Sequence, residues 1–205
     1  MLLAAGVFDV PLGHLDRLTP RQIAILTVSQ DVTLGLMLVG LLGWWPKIRP
    51  AALGLTAPVG LRTGIAAGAG LWLLSIVIAN AQATAIGAHP QSLVLAAQAH
   101  RSLEGLLIDL VFGAGLVAVV EELFFRAVAF ALLRQRLPFL AAAALSSALF
   151  AVVHEIGAWL PVFALGLGLA YLYERRRSLW TNALAHGMVN GLSFVILFLL
   201  PGVGL

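Results

Sequence analysis

The chain has 205 residues, of which 61% are hydrophobic and 10% charged, with a mean hydropathy of +1.01. Soluble domains carry roughly 25% charged residues, so this balance excludes a soluble globular protein and predicts an integral membrane protein. Cysteine is absent, which excludes a disulfide framework, a thiolate nucleophile and a Cys-based metal site. The formal net charge is +3 and the pI about 10.2. The arginines sit at predicted helix ends, so membrane orientation explains the basic balance and no nucleic-acid partner is expected.

In chain order, residues 1–21 read as a short, mostly extended segment with Pro11 and Pro20. No basic stretch precedes the apolar start at Met1 to Phe8, so no cleavable leader is expected. A first span is predicted over 23–45, closing on the interfacial pair Trp44 and Trp45. Residues 46–63 hold three prolines with Lys47, Arg49 and Arg62, and read as a loop. A second span follows over 64–87, and 88–102 is polar enough for an interfacial helix. Spans three to six are predicted over 103–133, 138–158, 160–173 and 179–200. Apolar runs of about 20 residues suffice to cross a bilayer as helices. No period-two alternation suggests a barrel. The expected fold is therefore all-α: one polytopic bundle of about six spans over 1–205, with N-terminal spans in 1–102 and a chemically active core in 103–200.

Orientation follows from Lys and Arg in the loops. With six spans, eight such residues fall on one side and Arg17, Arg21 and Arg101 on the other, with Arg126 inside a span. That asymmetry predicts both termini outside.

Charged groups at membrane depth are expensive and usually face the protein interior with a function. Three motifs meet that description. In Glu121-Glu122-Leu-Phe-Phe-Arg126 the adjacent carboxylates point about 100° apart, while Glu122 and Arg126 stand at i and i+4 and can pair. One carboxylate is then neutralised and the other left for general-base work; the spacing does not say which is the base. The plain alternative is a structural ion pair. Phe150-Ala-Val-Val-His154 places an imidazole in a predicted apolar helix, where a core role is the simpler reading. His186-Gly-Met-Val-Asn190 puts two possible oxyanion donors on one helix face, or polar glue between helices. Asn182, one turn before His186, is a plausible supporting partner. Asp31 and Asp109 are helix contacts or line a water-filled approach. His14, His89 and His100 fall in loops or at edges. Gly166 and Ala170 form a small-xxx-small face suited to close helix packing. Ser146, Ser147 and Ser193 lack a G-x-S-x-G context.

Together these motifs resemble the CAAX-protease and bacteriocin-processing (CPBP, or Abi) family, related to the type II CAAX prenyl endopeptidases. That family's pattern is E-E-x-x-x-R, then F-x-x-x-H, then H-x-x-x-N. The resemblance covers about 103–195 and includes Gly166-Leu-Gly-Leu-Ala170-Tyr171 and Ser178-Leu179-Trp180. Ala170 stands where the family usually has Gly, Arg175 to Arg177 replace a turn that usually ends in Gly, and Thr181-Asn182 replace an often apolar pair. The resemblance implies a glutamate-dependent intramembrane endopeptidase with its site in a cavity of the bundle. It implies Glu121 as general base acting with His154 on a water, His186 and Asn190 as an oxyanion hole, and Glu122 and Arg126 in support. It implies a peptide or membrane-anchored protein as substrate, the lipid bilayer as surroundings, and a bacterial inner membrane as location.

No cofactor is favoured, although two His and a Glu could hold catalytic zinc. In that case Glu121, His154 and His186 would be the ligands. There is no H-E-x-x-H, and the three would come from separate helices. A non-catalytic immunity or scaffold protein binding a peptide in the same pocket is the reading from another class. A proton-coupled transporter is a third, but no repeat or broken helix is visible.

Overall fold

In the computed structural model, residues 18–44, 50–87 and 101–200 are described. They form six helical rods: α1 (Pro20–Trp44), α2 (Leu61–Ile86), α3 (Leu103–Arg134), α4 (Phe139–Val152), α5 (Trp159–Arg176) and α6 (Leu179–Leu199). No strand occurs among the described residues. Four rods (α2, α3, α5 with the turn before it, and α6) are long and apolar enough to cross a bilayer, and two shorter apolar stretches lie in α1 and α4. The all-α polytopic bundle expected from composition is what folds. The proposed interfacial helix falls mostly outside the described residues, as do His14, His89 and His100.

Local chemistry sets the helix starts. Thr19 and Gln22 form a reciprocal capping box: Gln22 N donates to Thr19 Oγ1 at 3.3 Å and Thr19 N to Gln22 Oε1 at 2.9 Å. Pro20 follows at the first helical position, where its missing N–H is no loss. The helix thus begins at Pro20, so the extended reading of 1–21 fails at its last two residues. Ser102 caps α3 by accepting from Gly105 N at 3.0 Å, and Ser178 caps α6 by accepting from Thr181 N at 3.2 Å. The loop predicted over 46–63 is shorter than expected. It contains a 3₁₀ turn at Pro50–Leu53, and Arg62 already belongs to α2.

Two boundaries change the reading of the site. Span four, predicted over 138–158, stops as a helix at Val152. Its 14 residues reach only about 21 Å, short of the ~30 Å hydrocarbon thickness. His154 therefore lies beyond the helix end rather than on a helical face. Second, α3 is not uniform. Asp109–Leu116 and Leu123–Phe130 are π-helical, with ordinary α-helix between them at Val117–Glu122. The wider turns are visible in the bonds Val117 N–H to Phe112 O and Ala131 N–H to Arg126 O, both i to i−5. Such widened turns concentrate at functional sites. Here they flank the Glu pair.

The connections sort to the two ends of the bundle. At one end Trp180 Nε1 donates to Leu55 O, Ser178 Oγ to Pro58 O and Gly60 N to Thr181 Oγ1, and Arg134 pairs with Glu174 at 2.9 Å. The basic connections after α1, α3 and α5 therefore share a side. At the other end Gln82 Nε2 donates to Gly157 O, Arg101 to Phe198 O and Arg21 pairs with Glu104.

Small residues let the rods close. α6 packs chiefly on α2 and on α3. A Cβ on Gly187 would lie 2.6 Å from Ala114 O of α3. On the small-xxx-small face of α5, Gly166 lies against Ser147 of α4 and Ala170 is fully buried. The outer surface is apolar, with Leu36, Val77, Leu140 and Leu199 exposed, as a lipid-facing surface requires. The interior instead holds Arg126, Glu121, Glu122 and Asn182 among its most buried side chains.

Candidate active site

Glu122 is the centre of the polar cluster. Its Oε1 accepts from Arg126 Nη1 at 2.7 Å and lies 3.0 Å from His186 Nδ1. Its Oε2 accepts from Asn182 Nδ2 at 2.8 Å. The i to i+4 pairing of Glu122 with Arg126, expected from spacing, is present. Three donors on one carboxylate leave it little capacity for a further proton or ligand. They also make it tolerable to bury, because a buried charge must be paired and hydrogen-bonded.

Glu121, also buried, is held far more loosely. Gln30 Nε2 of α1 lies 3.4 Å from its Oε1, and His186 Nε2 lies 3.8 Å from its Oε2. The second distance exceeds a hydrogen bond. His186 thus stands between the two carboxylates, one at each ring nitrogen. The spacing of the motif left open which Glu is free for chemistry; the tertiary contacts separate them.

Phe150 joins the pieces. Arg126 stacks over its ring at 4.3 Å, and the rings of His154 and His186 meet it edge-on at 4.8 Å and 5.7 Å. A desolvated cation–π contact of this kind contributes about 2 kcal/mol. His154 Nδ1 is 2.8 Å from Phe150 O. A carbonyl only accepts, so Nδ1 carries the proton and Nε2 of the neutral ring is left as an acceptor. Trp159 Nε1 donates to His154 O at 3.0 Å, fixing the turn.

Of the six candidates, Glu121, Glu122, Arg126 and His186 form one contact network, and His154 joins it across Phe150. Asn190 is held apart: its Nδ2 donates to Gly113 O, in the first π turn of α3, at 2.9 Å. One contributor went unread in the sequence. Gln30 carries no motif, since a single Gln in an apolar helix has many roles. Phe150 was visible only as a motif position. Asn182 proves central: it bridges Glu122 and Leu169 O of α5, the latter at 2.9 Å.

An apolar groove of about 730 Å³ runs along α3 and α6 beside the cluster. Gly187, next in the chain to His186, is on its wall, but none of the six candidates lines it. The chemical groups sit behind that wall.

No three His, Asp or Glu side chains are grouped as ligands among the described residues. The Arg126 guanidinium occupies the cluster, and Glu122 and one nitrogen of His186 are committed to each other.

Residues 103–192 match the family described as type II CAAX prenyl endopeptidase Rce1-like. The likeness covers this Rce1-like core, less than half of the chain. A protein of Bacillus subtilis (strain 168), bearing the provisional name of membrane peptidase YdiL, is 34% identical over 86 residues. The matched stretch covers 42% of this chain and 34% of YdiL, so the likeness spans about a third of that relative's length. No solved structure matches the chain. The Rce1-like core takes in every candidate residue from Glu121 to Asn190, but not Gln30. The four long apolar rods are those of a polytopic helical membrane protein.

Proposed function

We propose that the chain is an intramembrane endopeptidase that hydrolyses a peptide bond with water activated by a glutamate. The observation that carries this reading is the asymmetry of the Glu pair: Glu122 accepts from Arg126 and Asn182 and faces His186 Nδ1 at 3.0 Å, while among the described residues Glu121 has Gln30 at 3.4 Å and His186 Nε2 at 3.8 Å as its polar neighbours. A base must have a free lone pair within reach of water.

In this mechanism Glu121 takes a proton from a water that His154 Nε2 helps to orient. The hydroxide so formed attacks the peptide carbonyl carbon. His186 and Asn190 stabilise the oxyanion. A protonated His186 would bring its Nε2–H to the oxyanion while Nδ1–H is held by Glu122, in the manner of a carboxylate-oriented imidazole. Glu121 then gives its proton to the leaving amine as the C–N bond breaks. Asn190 would have to turn one of its N–H groups from Gly113 or use the other.

The substrate class is a peptide or a membrane-anchored protein segment. The basic loops on one end support a cytoplasmic placement of that end, with both termini outside, in a bacterial inner membrane. A site free of metal is proposed. A scaffold that binds a peptide without cleaving it is the alternative the test must address.

The test is cleavage of a quenched fluorescent peptide library by purified protein. Wild type is compared with Glu121→Ala and His154→Ala, each with and without a zinc chelator. Activity lost in both variants and kept under chelation is expected. Activity lost on chelation would return Glu121, His154 and His186 to the role of metal ligands. Turnover that survives Glu121→Ala would remove that residue as the base.

A further inference from the structure

Glu121 receives a contact from outside the Rce1-like core, through Gln30 of α1 at 3.4 Å. The next residue, Asp31, is 5% exposed and shares the buried face of α1 with Leu38. Neither of its carboxylate oxygens has a hydrogen-bond partner among the described residues, and it lies within electrostatic reach of Glu121. A carboxylate in an apolar seam is strongly destabilised unless water or a proton satisfies it. The opposite face of α1 is different in kind: Val32, Leu36, Met37 and Val39 are exposed and apolar, as for lipid contact. α1 lies along successive segments of α3, from Leu103–Ile108 to Leu123–Phe130. The exposed pair Arg21 and Glu104 stands at the end of this seam away from the basic loops. Hydrolysis consumes a water at each turnover, yet Glu121 is 2% exposed.

We propose that the seam between α1 and α3 is the inlet by which water reaches Glu121, with Asp31 holding water in the seam and Gln30 handing it on. The proposal rests on the hydrolytic reading of the site. It gives the N-terminal helix, which lies outside the matched core, a part in the chemistry. Asp31 touches no substrate here; it positions solvent.

The chain has no cysteine, so any cysteine introduced is the sole thiol. Asp31→Cys, Gln30→Cys and Leu36→Cys are made in the full chain and kept in opened native membranes. Leu36 is 68% exposed on the lipid-facing side of α1. The probe is silver ion, close to water in size and excluded from hydrocarbon; thiols left unreacted are counted with a maleimide after unfolding. Asp31→Cys and Gln30→Cys are expected to react at least about tenfold faster than Leu36→Cys, a difference of ~1.4 kcal/mol in access. Rates no faster than that of Leu36→Cys would overturn the inlet. Should Asp31→Cys fail to insert, Gln30→Cys decides alone. Adding Asp31→Leu to Gln30→Cys is expected to slow its reaction by about tenfold, and an unchanged rate would remove Asp31 from the proposal. Labelling needs no turnover. A chain that labels as expected but cleaves no peptide keeps the inlet and loses the peptidase reading; cleavage without labelling does the reverse.

Discussion

His186 and Glu122 meet at 3.0 Å through Nδ1 and Oε1, the same oxygen that Arg126 holds at 2.7 Å. The contact spans 64 residues of sequence and fixes the imidazole so that its other nitrogen faces Glu121. An orienting carboxylate behind a histidine is a recurrent way to set tautomer and direction.

The two glutamates should therefore fail differently. Glu122→Leu leaves Arg126 charged and unpaired in the interior, and is expected to destabilise the fold by about 3–5 kcal/mol. Glu121→Gln removes a loosely held carboxylate, so folding is expected to stay near wild type while cleavage falls to background. Unfolding in mild detergent and peptide cleavage, measured side by side, read both. Equal loss of stability in the two variants would contradict the asymmetry on which the mechanism stands.

Asn182 ties Glu122 to the backbone of α5 at Leu169. Asn182→Leu removes a hydrogen bond to a charged group, worth about 1.5–3 kcal/mol. Asn182→Asp sets a second carboxylate against Glu122 and is expected to be worse. Denaturation midpoints should fall in the order wild type, Asn182→Leu, Asn182→Asp. The reverse order of the two variants would mean that Asn182 acts by volume alone.

Phe150 should matter to chemistry beyond its bulk. Phe150→Leu fills much of the space but loses the ring against Arg126, His154 and His186. A loss of about 2 kcal/mol of stability is expected from the cation–π contact, with kcat reduced because both imidazoles lose their common support. Unchanged kcat in a folded Phe150→Leu protein would show that His154 and His186 are held by other contacts.

Arg177 ends α5 at φ 48°, in the left-handed region that favours glycine, with its N–H bonded to Tyr173 O. It takes the place where the family's turn usually ends in Gly. Arg177→Gly is expected to gain about 1 kcal/mol from the backbone and lose little with the exposed Arg177–Glu174 pair. A small rise in thermal stability is the expected outcome, and a fall would give that ion pair the larger share.

The sequence by itself determined the fold class and named candidate residues for a site. Apolar runs longer than a bilayer needs, interrupted by Glu121, Glu122, Arg126, His186 and Asn190, leave no fold but a helical bundle with a polar interior, because hydrocarbon tolerates neither open backbone nor stray charge. The Glu122–Arg126 pair was legible for the same reason that any i to i+4 pair is: helix geometry is local. Three-dimensional packing decided the rest. Which glutamate is saturated depends on His186 and Asn182, some 60 residues away. The end of α4 before His154 did not show in an unbroken apolar run, since hydropathy does not report where a helix stops. The two π-helical stretches of α3 leave no mark in composition, because i to i+5 bonds are chosen by what the helix packs against. Asp31 and Gln30 gain meaning only once α1 lies beside α3, since the contact that joins them to Glu121 crosses 91 residues of chain.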